Sequence, residues 1–327
     1  MILFSFIVAL AAALVCPVQA YDSGTPALPN GSEVRYLITL CVLRTPSNPA
    51  LTSNSGDSYS KTGFRFDKLG IGATEFNPSA ENPIGHPPLP GRTSAGGRNW
   101  VGFMVTEFNT TLTLAFNYAR SGSTVDSTIL MSRPASAPSF VDQVGHFKES
   151  IGSRPEFAPW TAENSVAGFW FGVNDVRVSY FLDDMPEVLV WVMESYFEQI
   201  QILYDVGLRR FVLLSLPPLN LVPRLQKQEI GDERRYQRLI FAVERWNSLM
   251  QYHMILFQQA NDDAEISIID TAQIFWEAVR DPSALGAPDR DCINKDGVSC
   301  LWFDGHHPGT KIERLVAEKV ARKIWPA

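Results

Sequence analysis

Several features are missing from this 327-residue sequence, and each absence narrows its function. No basic cluster is longer than a pair such as Arg209–Arg210 and the net charge is −7, so we expect no nucleic-acid partner. There is no internal repeat and no long low-complexity linker. Past the N-terminus no run of 18 apolar residues occurs, so we expect a mature chain without membrane association. With 45% apolar residues, residues 21–327 can form one large domain.

The N-terminus has no Lys or Arg before its apolar run, although the rest of the segment resembles a secretory signal. The stretch MILFSFIVALAAALVCPVQA is too short for a comfortable membrane span and ends in small residues. We therefore predict a signal peptide over residues 1–20, cleaved from a secreted, extracellular protein; a buried N-terminal helix or an anchor is the alternative.

Cysteine is scarce, with four residues in the chain. Removal of the signal takes Cys16 away and leaves an odd number. Cys292 and Cys300 flank a short polar loop and could close it in an oxidising compartment, which leaves Cys41 unpaired. Two sequons, at Asn30 and Asn109, could carry glycans.

Apolar runs alternate with helical patterns along the chain. Buried strands are predicted at 112–119, 166–173, 210–216 and 265–270. Long helices are predicted from Asp183 or Asp184 to Gly207, over 232–259 and over 311–324, whereas residues 76–99 indicate a long surface loop. Such alternation predicts a parallel sheet with helices on both faces, and places the ligand at the carboxyl ends of the strands.

Four short motifs follow predicted strands or loops. They are Gly56-Asp57-Ser58, GRTSAGGRNW (91–100), Gly172-Val173-Asn174-Asp175 and WFDGHHPGT (302–310). Each alone is typical of an ordinary turn or helix cap. Together they suit acyl transfer, because a serine nucleophile needs a base and the base needs an orienting group. His307 can be that base and Asp304 can orient it, while a glycine N–H and the Asn174 amide can stabilise an oxyanion.

In this order the motifs resemble those of the SGNH hydrolases. Further segments resemble the fungal acetylesterases of carbohydrate esterase family 16, namely NYARSGSTVD (117–126), LYDVGLRRFVLLSLPPL (203–219), RWNSLM (245–250) and FDGHHPG (303–309). The resemblance covers most of the mature chain. It implies a three-layer α/β/α sandwich with a flavodoxin-like parallel sheet.

The resemblance also implies the role of each motif residue. Ser58 is the nucleophile, and Asp304 and His307 complete its triad. The oxyanion hole consists of the Ser58 N–H, the Asn174 side chain and a glycine N–H. Two glycines are adjacent in the second motif; we prefer Gly97, because a tryptophan commonly follows three positions later, and keep Gly96 as the alternative. No metal or organic cofactor is implied.

Other residues near the motifs receive structural interpretations. Asp57 and Asp175 are expected to form turn and cap hydrogen bonds. His306 is expected to face solvent, because neighbouring side chains point apart in extended backbone. Aromatic rings beside the motifs could stack on sugar faces, with Trp302 the best candidate. The others are Trp100, Trp170 and Phe303.

One segment departs from the family pattern. Residues 35–39 fit the first strand and residues 56–64 fit the nucleophile turn, but the sixteen residues 40–55 between them have no counterpart. We favour an intron retained in the reading frame over a true loop insertion, because the segment interrupts the support that a nucleophile needs.

The resulting prediction is a monomeric secreted serine esterase. It would hydrolyse acetyl esters through an acyl-enzyme intermediate. The substrates would be small molecules or oligosaccharides, such as those derived from plant-wall xylan. The alternatives are a catalytically impaired carbohydrate-binding relative and a lipid or phospholipid esterase with the same triad.

Overall fold

The computed structural model describes residues 34–39, 58–70 and 74–325. The predicted signal peptide, the sequon at Asn30, Cys41 and the atypical segment 40–55 lie outside these residues, as do Gly56 and Asp57.

Five parallel strands form one sheet in the order β2-β1-β3-β4-β5. They are β1 (Arg35–Thr39), β2 (Thr113–Asn117), β3 (Ser165–Phe169), β4 (Arg210–Leu214) and β5 (Glu265–Ile269). In the β1–β2 pair Tyr36 lies opposite Leu114, and in the β4–β5 pair Leu213 lies opposite Ile268. This is the predicted flavodoxin-like order, and the predicted α/β/α class is confirmed.

Eight α-helices occur in the described residues. They are α1 (Trp100–Met104), α2 (Phe140–Ser150), α3 (Val173–Ser179), α4 (Met185–Val206), α5 (Pro223–Gln228), α6 (Glu233–Ala260), α7 (Ala272–Arg280) and α8 (Thr310–Ile324). Helix α4 contacts both α2 and α6, and helix α8 contacts both α1 and α7. All five residues of β3 are buried, as expected for a central strand covered on both faces.

Local sequence signals explain the longest helices. Asp184 precedes α4 and Pro186 lies in its first turn, while Gly207 ends the helix with φ +117°. The Asp232 side chain accepts a hydrogen bond from Arg235 N at the start of α6. None of the helices in residues 34–39, 58–70 and 74–325 is long and apolar enough to cross a bilayer.

Candidate active site

The nucleophile turn lies beside the carboxyl end of the sheet. Asn117 ends β2, and its side-chain Nδ2 donates to Ser60 O at 2.7 Å. From the other side Asn99, which caps α1, donates its Nδ2 to Tyr59 O at 2.9 Å and to Lys61 O at 3.0 Å. Ser58 is therefore followed at once by a turn whose carbonyls are held by two buried amides.

Ser58, His307 and Asp304 form one chain of hydrogen bonds. Ser58 Oγ lies 2.5 Å from His307 Nε2, and His307 Nδ1 lies 2.7 Å from Asp304 Oδ1. Ser58 and His307 are each 1% exposed. The described structure thus brings together three of the predicted site residues, although 249 residues separate the serine from the histidine.

The turn from Asp304 to His307 is organised by the aspartate itself. Its Oδ1 also accepts the backbone N–H of His306 at 2.8 Å and of His307 at 3.0 Å. These bonds hold the carboxylate against the imidazole ring. Because Nδ1–H donates to the carboxylate, Nε2 presents its lone pair to the serine hydroxyl.

The charges of this pair suit a neutral imidazole and an ionised carboxylate. Burial opposes ionisation of Asp304, but the hydrogen bond and charge of His307, with the Lys295 ammonium, hold the carboxyl pKa well below its usual range. Burial lowers the pKa of His307; the Asp304 hydrogen bond and charge counter this in part, while the cations of Lys61 and Arg177 add to it. The imidazole is therefore ready to accept a proton at neutral pH.

Asn174 lies in the first turn of α3, two residues after a backbone position that only glycine fits. Gly172 has φ +110°, and an added Cβ would lie 2.3 Å from the Trp246 ring, so no side chain fits there. The Asn174 amide nitrogen donates one hydrogen to Ser123 O. That bond fixes the side chain, and the second hydrogen of the amide can donate to a ligand.

The loop that meets Asn174 follows β2, and sequence reasoning did not assign it a role. Gly122, one residue before Ser123, has φ +93°, and its added Cβ would lie 1.7 Å from Arg133 O. The predicted oxyanion glycine, Gly97, lies against α8, where an added Cβ would be 2.7 Å from Thr310 Cγ2. The rule that ligands bind at strand ends could have singled out Gly122, because it lies in the loop after β2.

Two predictions about aromatic and histidine side chains are wrong. Trp302 is 0% exposed and its Nε1 donates to Arg290 O at 2.8 Å, so it packs in the core instead of facing a sugar. Trp100 and Trp170 are buried too. His306 does not simply face solvent; it lines a small pocket beside Ser58, and burial, followed by the Arg177 charge, lowers its pKa to about 3.

The pocket beside Ser58 has a volume of about 10 Å³, roughly the space that one water needs. Its apolar walls include Val173, Leu219, Val222 and Leu225. Tyr59 closes one side: its ring lies 5.7 Å from the His307 ring and its hydroxyl donates to His306 O at 2.8 Å. This space suits a methyl group better than a chain of several carbons.

The loop that carries Lys295 is covalently closed. Cys292 and Cys300 form a disulfide with a Cα–Cα distance of 5.1 Å, as the sequence suggested. Gly297 O in this loop accepts the Thr310 N–H at 2.8 Å at the start of α8. The loop is thereby attached to the segment that follows His307.

Comparisons with known proteins identify the family. The family description GDSL-like lipase/acylhydrolase matches residues 54–320. The chain belongs to this SGNH family. It is 41% identical to an acetylesterase of Thermothelomyces thermophilus over 95% of this chain and 92% of that protein. It is 22% identical to an acetylesterase of Hypocrea jecorina over 81% of this chain and 85% of the relative. The predicted resemblance is confirmed, and the chain is a carboxylic ester hydrolase.

A more distant relative comes from a plant. A GDSL esterase/lipase of Arabidopsis thaliana is 22% identical, and the match covers 55% of this chain and 55% of that protein.

Proposed function

We propose that this SGNH hydrolase is a secreted acetylesterase in which Ser58 is the nucleophile, His307 the base and Asp304 the orienting group. The observation that carries the proposal is the 2.5 Å contact between Ser58 Oγ and His307 Nε2, with Asp304 on the opposite ring nitrogen. Because the imidazole is neutral and its Nε2 lone pair faces the hydroxyl, proton transfer needs no rearrangement.

The reaction has two acyl-transfer steps. Ser58 Oγ attacks the ester carbonyl while its proton passes to His307 Nε2. The tetrahedral intermediate collapses, and the alcohol leaves with the proton from His307. Water, deprotonated by His307, then attacks the acetyl-Ser58 ester. The bond from Ser58 Oγ to the acyl carbon breaks, acetate leaves, and Oγ takes the proton back from His307. Asp304 keeps its charge throughout and stabilises the imidazolium.

The developing oxyanion is held by fixed donors. We assign the Ser58 N–H and the free hydrogen of the Asn174 amide, together with a backbone N–H that we predicted at Gly97. The contact between Asn174 and Ser123 makes the neighbouring Gly122 N–H a second candidate for that third donor. Asn174→Ala is expected to lower kcat by about 10²-fold or more with little change in KM.

Acetyl specificity is supported by the relatives and by the size of the pocket. The 41% identical relative is an acetylesterase, and the space beside Ser58 is about 10 Å³. We propose short plant-wall oligosaccharides, such as those from xylan, as the substrate class, acted on outside the cell by a monomer. The lipid-esterase alternative predicts a wider acyl pocket.

The decisive experiment compares two serine variants. Ser58→Ala is expected to lower kcat/KM on a chromogenic acetate by roughly 10³-fold or more. Ser60→Ala is the matched control, because Ser60 is also buried and accepts a hydrogen bond from Trp100 Nε1 at 3.0 Å. Equal activity of Ser58→Ala and the wild type would contradict the proposal. Failure of wild-type Ser58 to react with a fluorophosphonate, with oligosaccharide binding retained, would favour the impaired relative.

The atypical segment needs its own test. We expect a protein lacking residues 40–55 to be at least as active as the full chain, since the buried amides of Asn99 and Asn117 hold the nucleophile turn from the following side. Sequencing of the transcript tests the retained-intron hypothesis. A spliced message that still encodes residues 40–55 would reject it.

A further inference from the structure

Three arginines lie close to the proposed active site in a protein whose net charge is −7. Arg177 lies on α3, three residues after Asn174, and lines the pocket beside Ser58. Arg224 lies next to the Asp304–His307 turn, and its backbone N–H donates to Gly305 O at 2.9 Å. Arg133 follows the loop of Gly122, whose carbonyl accepts the Arg133 N–H at 2.9 Å.

None of the three arginines has a carboxylate partner among the described residues. In the described part of the chain, no ion pair within 4.0 Å includes Arg133, Arg177 or Arg224. Arg177 Nε is buried and has no hydrogen-bond partner there. Burial lowers the pKa of Arg177, and the like charges of Arg224 and Arg133 lower it further. Arg177 is half-buried, and a buried guanidinium nitrogen without a partner in the described residues is costly, which favours an anionic ligand at this place.

A pocket of about 190 Å³ opens where two of the arginines meet. Its polar walls are Arg133, Arg177, Asn174 and Gln228, and no Asp or Glu lines it. Phe181, which is 46% exposed, lies on the same wall. We call this space the arginine pocket. Its volume is many times that of the pocket beside Ser58, and Arg177 and Leu225 line both pockets.

We infer that the arginine pocket binds a carboxylate carried by the substrate's sugar chain, so that the enzyme favours acetyl esters on uronic-acid-bearing oligosaccharides. The inference rests on the proposed esterase function. Arginine forms paired hydrogen bonds with a carboxylate, the Asn174 and Gln228 amides can bind hydroxyls, and the Phe181 ring can cover an apolar sugar face. Because Arg177 and Leu225 line both pockets, the acid sugar would lie within one or two residues of the acetylated one.

The test uses one oligosaccharide in two forms. An acetylated oligosaccharide bearing a uronic acid is compared with the same compound after reduction of its carboxyl to a hydroxymethyl group. The wild type is expected to show a kcat/KM at least 10-fold higher for the acidic form. Arg133→Gln is expected to bring this ratio close to one. Arg322→Gln, which removes the same charge near the far end of α8, is the control and should keep the wild-type ratio.

Other results would overturn the inference. One is a wild type that shows no preference for the acidic form or prefers the reduced form. Another is an equal loss of activity on both forms in Arg133→Gln, because that result would indicate a general electrostatic effect. Competitive inhibition by free acetate without a preference for the acidic form would mean that the pocket holds the product only, and also rejects the inference.

A binding measurement separates this inference from the proposed function. Ser58→Ala should still bind the acidic oligosaccharide in calorimetry more tightly than the reduced form, and Ser58→Ala/Arg133→Gln should lose that difference. If Ser58→Ala remained catalytically active while this binding difference persisted, the proposed nucleophile would be wrong and the anionic subsite would stand.

Discussion

The Asn117 side-chain amide donates to the Ser60 carbonyl across 2.7 Å, and so ties the end of β2 to the turn that carries the nucleophile. The same Nδ2 donates to Thr62 Oγ1 at 3.1 Å, and Asn117 Oδ1 accepts the Ala119 N–H at 2.9 Å. Asn117 is fully buried. The position of Ser58 therefore depends on a neighbouring strand as well as on the segment that precedes it.

Replacement of Asn117 by alanine should disturb this turn. We expect a loss of about 1–3 kcal/mol in the free energy of unfolding, because buried backbone groups lose their partners. We also expect kcat to fall by roughly 10-fold or more, because Ser58 is no longer held in position. Denaturant unfolding and kinetics on a chromogenic acetate measure the two effects.

A matched control lies at the amino end of the central strand β3. Asn164 precedes β3 and accepts the Thr161 N–H at 2.7 Å. Asn164→Ala should reduce stability but leave kcat unchanged. If both variants lost kcat equally, the loss would reflect general destabilisation and not the position of Ser58.

Much of the fold could be predicted from the sequence because its signals are local. Pro186 and Gly207 mark the bounds of α4, although the Asp184 side chain makes no capping hydrogen bond, and apolar runs mark the strands. Helix α2 was missed, although Ser139 and Asp142 form a capping box at its start. The four predicted strands and the strand at 35–39 were found because a buried parallel strand is a short continuous apolar run.

The site was only partly predictable, because its support depends on contacts distant in sequence. Ser58, Asp304 and His307 belong to recognisable motifs. Asn99 and Asn117 have no such signal, since their roles depend on carbonyls 38 to 57 residues away. Trp302 was predicted to stack on a sugar ring, yet it is buried and packs against Phe275, with ring centroids 6.0 Å apart.

The pH dependence of activity should reflect the cations near His307. Burial, with the charges of Lys61 and Arg177, lowers the pKa of His307 from its ordinary 6.5, so the acidic limb of kcat/KM should lie below pH 6.5. In Lys61→Met one of these cations is lost, protonated His307 becomes more favourable, and the limb should move to higher pH. A pH profile on a neutral acetate measures the shift.

The control for this variant removes a lysine from the end of α8. Lys323 is exposed there, and Lys323→Met should leave the acidic limb in place. A limb that moved to lower pH in Lys61→Met, or equally in both variants, would contradict the assignment of His307 as the titrating base.

The acyl specificity should respond to Val222. Val222 is buried and lines the small pocket beside Ser58. Val222→Ala removes two methyl groups from that wall, so the ratio of kcat/KM for butyrate over acetate should rise about 10-fold, within the range expected for apolar pockets. Competing chromogenic esters of two and four carbons provide the measurement.

The adjacent Leu221 provides the comparison. It is buried as well but is absent from the lining of that pocket, so Leu221→Ala should reduce stability without changing the ratio. An unchanged ratio in Val222→Ala would mean that the acyl group lies elsewhere.

Asp175 connects α3 to the Gly122 loop, and its titration should be visible in stability. Its Oδ1 accepts the Val125 N–H at 2.8 Å, and Oδ2 is buried without a hydrogen-bond partner in the described residues. Burial raises its pKa from 3.8 to about 7. Between these values the unfolded chain loses a proton that the folded protein keeps, so this group lowers the free energy of unfolding as the pH rises from about 4 to 7.

Asp175→Asn should remove that dependence, because the amide resembles the protonated acid and does not ionise. The unfolding free energy of the wild type minus that of the variant should therefore fall as the pH rises from 4 to 7. Asp126→Asn should give a difference that is flat between pH 4 and 7 and falls only as the pH drops below about 4: burial of Asp126 raises its pKa, but hydrogen bonds from Thr128 and Ser195 outweigh that and lower it from 3.8. A flat difference curve for Asp175→Asn would show that Asp175 is ionised in the folded protein, and the Val125 contact would then be a charged one.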